Sequence, residues 1–261
     1  MASVLITGAS GGLGRALAVA YAKRAAARGE KLRLWLTGRD AGRLAETENA
    51  ARSCGAEVDT VRLDITDRSG VEAWILACNA SAPLDVVIAN AGRSAGTGSG
   101  PETAEQVRIL IETNVSGVVN TVIPAASCMR QRRGGKIVIV SSLAARVPFP
   151  STPAYSAAKA FVRTWGFALR PELAEHGVGL TVVSPGYVNT PMTAINPYKM
   201  QFMVSADWAA YHILRRLEHN PPEIGFSRFA VVGVTALALL PRGLFGRLML
   251  RQPRKPALTL D

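Results

Sequence analysis

Residues 3–29, SVLITGASGGLGRALAVAYAKRAAARG, place a short β-branched run, a glycine-rich turn and an alanine-rich helical run end to end. No other feature constrains the fold so strongly. A strand that passes at once into a helix must lay that helix back across its own sheet. The same alternation recurs along the chain. Apolar runs at 32–38, 57–65, 84–92, 135–142 and 178–186 alternate with helical patterns at 40–55, 67–80, 102–132 and 152–175. Runs so continuous in Val, Ile and Leu predict strands buried on both faces. The expected class is therefore α/β, a Rossmann-like doubly wound parallel sheet with helices on both faces. At 261 residues and 48% apolar content, the chain suffices for one core and one domain. Residues 1–222 form the expected domain body, with a substrate lid at about 190–208, and 223–261 an apolar, basic extension of it. RSAGTGSGP at 93–101 reads as a mobile loop.

The first turn, TGASGGLGR at 7–15, carries Gly8, Gly12 and Gly14. Glycines let the backbone turn tightly and meet a ligand without a Cβ in the way. The N–H groups and dipole at the following helix start favour a pyrophosphate. A tight turn alone would also use glycines, but the setting inside a βαβ unit favours dinucleotide binding. The end of the second strand reads Thr37-Gly38-Arg39. An acid at Gly38 would accept from the adenosine ribose, and none is present. Arg39 can pair with a 2′-phosphate, which favours NADP(H), although a solvated arginine would look the same in sequence. Ser10 adds no second basic residue in the glycine loop.

PSTPAYSAAKAFVRTWG at 150–166 sets Tyr155 four residues before Lys159, on one helix face. A free tyrosine titrates near pH 10, too high for proton transfer at neutrality. A nearby ammonium, and an oxidised nicotinamide ring, would lower that value. Ser142 ends the strand KIVIVSS, where its hydroxyl could hold a substrate oxygen beside the phenol.

Taken together, Thr7-Gly8-x-x-x-Gly12-x-Gly14, Asn90-Ala91-Gly92, Asn114, Ser142, Tyr155/Lys159 and Pro185-Gly186 follow in one order across roughly 3–192. This order resembles the short-chain dehydrogenase/reductases, in their shorter oxidoreductase branch. The resemblance implies that Tyr155 is the general acid/base and that Ser142 orients the substrate carbonyl or hydroxyl. It implies that Lys159 binds the nicotinamide ribose and lowers the tyrosine pKa, and that Asn114 holds a water in the proton relay. Gly8, Ser10, Gly12, Leu13 and Gly14 would form the phosphate loop, and Asp64 and Ile65 would meet the adenine. Asn90, Ala91 and Gly92 would line the cofactor floor, with Pro185, Gly186, Val188 and Thr190 against the nicotinamide. Two departures stand out. Pro171 interrupts the helix that carries Tyr155, where proline kinks or ends a helix. The ending from Glu223 onward replaces the terminal strand and glycine-rich turn with which many members build a tetramer.

The formal charge is +11, which suits nucleic acid, an anionic membrane surface or an anionic cofactor. No nucleic-acid motif accompanies it. Cys54, Cys78 and Cys128 form no C-x-x-C pair, and His176, His212 and His219 lack metal-ligand spacing, so no metal is expected. The opening MASVLITGASGG has neither a charged leader nor a long apolar segment, and a cytoplasmic protein is expected. The twelve-residue run 229–240 is too short to span a bilayer of about 30 Å. Beyond it, Leu244, Phe245, Leu248 and Met249 share helical spacing, with Arg242, Arg247 and Arg251 elsewhere and Arg254 and Lys255 following. Such a helix fits peripheral docking on the inner membrane surface, a subunit interface of a homodimer or homotetramer, or a cover for the substrate pocket. The expected activity is NADP(H)-dependent interconversion of a carbonyl and a secondary alcohol on a small, apolar substrate, chiefly as reduction. The alternatives are a non-catalytic dinucleotide sensor or scaffold, and a membrane-associated reductase in lipid or polysaccharide synthesis.

Overall fold

A computed structural model describes residues 1–226, 228–250 and 254–258. Arg251 and the side chain of Arg242, both assigned above to the tail's basic face, lie outside the described residues. The elements run β1 (Ala2–Thr7), α1 (Gly12–Arg28), β2 (Leu32–Gly38), α2 (Ala41–Arg52), β3 (Glu57–Arg62), α3 (Arg68–Ser81) and β4 (Val86–Ala89). They continue with α4 (Ala104–Ile111), α5 (Gly117–Gln131), β5 (Gly135–Val140), α6 (Pro153–Glu175) and β6 (Val178–Ser184). The C-terminal part holds β7 (Val188–Asn189), α7 (Pro191–Ala194), β8 (Val204–Ser205), α8 (Ala206–Leu217), β9 (Glu223–Gly225), α9 (Arg228–Ala238) and α10 (Arg242–Met249).

Seven strands form one parallel sheet in the order β3-β2-β1-β4-β5-β6-β9, so the winding reverses between β1 and β4. Side chains of β1 alternate between the two faces, as a doubly covered strand requires. Val4 and Ile6 pack with Leu17, Leu34, Val138 and Ile213, whereas Leu5 packs with Val87, Val122, Ile137 and Val162. Each such fully buried aliphatic side chain contributes about 1.5–3 kcal/mol.

Three departures from the sequence reading and one agreement bear on the site. The helix expected over 102–132 is divided by a π turn at Glu112–Ser116, which carries Asn114. Helix α6 runs to Glu175, as the pattern at 152–175 has it, with Pro171 inside it. Glu223–Gly225 is not a replaced ending but the seventh strand, paired in parallel with β6. Finally, the four apolar residues of α10 do not form one docking face. Phe245 and Met249 are buried with Val147 against Phe149, Val234 and Leu237, leaving Leu244 and Leu248 exposed.

Candidate active site

Every site residue singled out in the sequence except Gly14 lines one cleft of about 990 Å³ at the carboxyl ends of the strands. An open α/β sheet binds its ligands there, beside the reversal of strand order. At that reversal Asn90 Nδ2 donates to the carbonyls of Thr7 at 2.9 Å and Gly8 at 3.3 Å. Thr7 Oγ1 in turn accepts from the backbone N–H groups of Asn90 and Ala91. Gly14 lies beneath the cleft. A Cβ on it would sit 2.2 Å from the Gly8 carbonyl oxygen, so its role is close packing of α1 on the loop.

Helices α2, α3, α4 and α8 start with side-chain caps from Asp40, Asp67, Thr103 and Ser205. Helix α1 starts at Gly11 with no side-chain cap. Its first-turn N–H groups are therefore left to an anion. Nearby, a Cβ on Gly38 would meet Ser10 Cβ and Oγ at 2.8 Å, which excludes a carboxylate at that position. Arg39 stands exposed beside it, 3.9 Å from Asp64, and Arg43 also lines this end. Arg93, which the sequence reading missed, feels the charges of both Arg39 and Asp64. This donor set fits a dinucleotide, with main-chain N–H groups for the pyrophosphate.

At the other end, α6 presents Tyr155 and Lys159. The Lys159 ammonium is buried and donates to the Val140 carbonyl at 3.0 Å. Burial pushes its pKa down to about 8. Ser141 Oγ fixes the helix by donating to the Lys159 carbonyl at 2.8 Å. The phenol of Tyr155 is raised above its usual pKa by burial, opposed by the hydroxyls of Ser142 and Ser94, with Tyr187 adding to the rise. The lowering expected from Lys159 is not seen. Its Nζ donates to the Val140 carbonyl and stands 6.0 Å from the ring centroid.

Ser142 opens a short 3₁₀ turn, Leu143–Arg146, by accepting from the Ala144 N–H at 3.1 Å. That turn is anchored by β9. Glu223 accepts from Arg146 at 2.6 Å, from Arg163 of α6 at 2.9 and 3.1 Å, and from Ser184 Oγ at 2.6 Å. Burial works to raise the Glu223 pKa, yet these hydrogen bonds and charges hold it below the usual carboxylate value. Asn114, fully buried, gives its amide to the loop after β4. Its Oδ1 accepts from Arg93 N at 3.1 Å, and its Nδ2 donates to the carbonyls of Arg93 and Leu110. The loop at 93–101 is not loose. Gly96 N donates to the Pro256 carbonyl at 2.7 Å and Gly98 N to the Lys255 carbonyl at 2.9 Å.

The short chain dehydrogenase model matches residues 2–200. The chain belongs to the short-chain dehydrogenase family. An uncharacterized oxidoreductase of Myxococcus xanthus is 34% identical over 93% of this chain and 94% of its own. A serine 3-dehydrogenase of Agrobacterium fabrum is 31% identical over 88% of this chain and 97% of its own. Among solved structures, a short-chain dehydrogenase from Sphingobium yanoikuyae in complex with NADPH superposes with a TM-score of 0.79. It is 25% identical and both chains are covered in full. Membership of this family makes the chain an NAD(P)-dependent dehydrogenase or reductase. The family signal could be read from Gly8 to Thr190. It held no hint of Arg93, Ser94, Phe149 or Lys255, which join the cleft from loops and the tail.

Proposed function

We propose that this chain is an NADP(H)-dependent oxidoreductase that interconverts a carbonyl and a secondary alcohol, with Tyr155 as the acid/base. One observation carries the reading: the Tyr155 phenol, flanked by the hydroxyls of Ser142 and Ser94, opens into the cleft that continues to the uncapped start of α1. The bound nicotinamide supplies or takes the hydride. The chain's own residues do the rest. Ser142 holds the substrate oxygen beside the phenol, and Tyr155 gives that oxygen its proton in reduction or takes it in oxidation. Burial raises the phenol, and the hydroxyls of Ser142 and Ser94, which oppose that rise, favour its part in proton transfer. Lys159, buried in the cleft with further N–H donors beyond the one given to Val140, would hold the nicotinamide ribose.

The preference for NADP(H) is supported by Gly38, packed on Ser10 with no room for a carboxylate, and by Arg39 and Arg43 at that end. An apolar substrate body is supported by Phe149, Val234, Leu237 and Met249, with Met192 and Phe202 from the lid.

A carbonyl screen followed through NADPH absorbance tests the activity, and Tyr155→Phe tests the mechanism. The variant should lose about 10³-fold in kcat, within the range for a lost general acid. Its NADPH affinity should stay within about threefold, because only a transferable proton has gone. Wild-type turnover by Tyr155→Phe would remove the tyrosine from this role.

A further inference from the structure

Lys255 has no place in the reading above, although it lines the same cleft. The tail carries it there on a built track. Gly96 and Gly98 donate to the carbonyls of Pro256 and Lys255, and Leu258 N donates to Gln106 Oε1 at 2.7 Å. The buried Gln106 returns a bond from Nε2 to the Gly96 carbonyl at 3.0 Å. A Cβ on Gly96 would lie 2.4 Å from the Lys255 carbonyl oxygen, so loop and tail meet at backbone distance.

Held in this way, the Lys255 side chain is only 6% exposed, and its Nζ donates to Ser94 Oγ at 2.7 Å. Ser94 is one of the two hydroxyls on the Tyr155 phenol. An ammonium has three N–H donors, and Ser94 takes one. Among the described residues no carboxylate forms an ion pair with Lys255. The acid nearest along the loop, Glu102, is occupied by the Ala154 N–H and the Gln106 amide. A buried cation with no counter-charge costs free energy, and proteins place one where a ligand supplies the charge. The cofactor phosphates belong to the α1 end of the cleft, whereas Ser94 places Lys255 at the tyrosine end.

We propose that Lys255 and Ser94 form a receptor for a carboxylate on the substrate, so that this chain acts on oxo acids and the corresponding hydroxy acids with an apolar body. The proposal rests on the oxidoreductase reading and narrows its substrate class. Ser94 stands beside the phenol and its Oγ accepts from Nζ at 2.7 Å, so the ammonium lies one hydroxyl away from the proton donor. That spacing suits a carboxylate close to the reacting carbonyl, as in a 2-oxo or 3-oxo acid. Val234, Leu237 and Met249 then wall the alkyl part.

The test uses the full chain with NADPH and straight-chain 2-oxo acids beside their methyl esters. Wild type should favour the acid over its ester in kcat/KM. Lys255→Met should cost the acid about 30-fold more than the ester, chiefly through KM, as expected for a charge left without its partner. Lys255→Arg should recover part of the preference. Equal losses on acid and ester, with a shifted pH profile, would mean that Lys255 serves the tyrosine or the fold, and would overturn the proposal. So would a wild type indifferent to the carboxylate. Binding of a non-reducible alkanoate to the protein with NADP⁺, by calorimetry, reads the receptor apart from turnover. If it weakens in Lys255→Met while no carbonyl is reduced, the reductase reading falls and the anion receptor stands. If it is unchanged in Lys255→Met, the receptor falls even where reduction is seen.

Discussion

The two ends of the cleft are built by different means. The end under α1 is made of main chain: an uncapped helix start, and glycines packed so closely that a single methyl would strike backbone. The end around Tyr155 is made of side chains, drawn from α6, the turn after β5, the loop at 93–101, α9 and the tail. A pyrophosphate can be met by N–H groups that any sequence carries, provided the glycines let it approach. A substrate must be told from its neighbours, and only side chains discriminate. The first end therefore leaves a spacing pattern in the sequence, and the second leaves scattered residues.

This contrast is broken most directly at Gly14. Gly14→Ala puts a Cβ 2.2 Å from the Gly8 carbonyl and 2.6 Å from Asn90 Nδ2. It should cost about 3 kcal/mol of stability and most of the dinucleotide affinity, the scale of an overpacked core site. Thermal melting and NADPH titration read both, and a wild-type melting temperature would show that backbone packing is not what holds this end. The next effect is at Arg39, where a side chain does act at the cofactor end. Arg39→Ala should weaken NADPH about 10- to 100-fold, the loss of one or two charge-assisted hydrogen bonds, and leave NADH within about twofold. Equal weakening of both in direct titrations would assign the preference elsewhere.

The smallest effect belongs to the tail and has the opposite sign. Burial pushes the Lys255 pKa from 10.5 down to about 8. A lysine whose pKa falls on folding opposes folding while it is charged in both states. The penalty is full below about pH 8 and fades as pH rises towards 10.5, because there the unfolded chain binds more protons. Lys255→Met should therefore stabilise the protein at pH 7 in the absence of cofactor and substrate. A net gain of about 1 kcal/mol is expected once the unsatisfied Ser94 hydroxyl is set against it. The gain should shrink between pH 8 and 10.5 in paired denaturation curves. A variant less stable than wild type at pH 7 would mean that Lys255 is a structural strap rather than a charge awaiting a ligand.

What could be read from the sequence follows the same division. The longer strands other than β3 were recognisable because each is an apolar run buried on both faces, a local property, whereas the edge strand β3 buries chiefly Val58. Gly8, Ser142, Tyr155 and Lys159 were recognisable because their spacing is tied to strand ends and one helix face. Strand β9 was not: three residues, EIG, show no period, and their conformation comes from pairing with β6. Gly96 and Gly98 looked like flexibility, although they serve the close approach of the tail. Phe245 and Met249 had the spacing of an amphipathic helix, and the sequence could not say whether water, lipid or Phe149 would face them. Lys255 sat in a basic run, where a lysine ordinarily meets solvent. Its burial depends on partners some 160 positions earlier in the chain.

The strapping of the loop at 93–101 by residues 255 and 256 has a consequence in time. During synthesis, the residues proposed to meet the cofactor, from Gly8 to Thr190, leave the ribosome before the segment that fastens this loop. A nascent chain can thus assemble its nucleotide cradle while the neighbouring chamber is still unselective. On the proposed role of Lys255, the choice of substrate would be acquired after the nucleotide cradle.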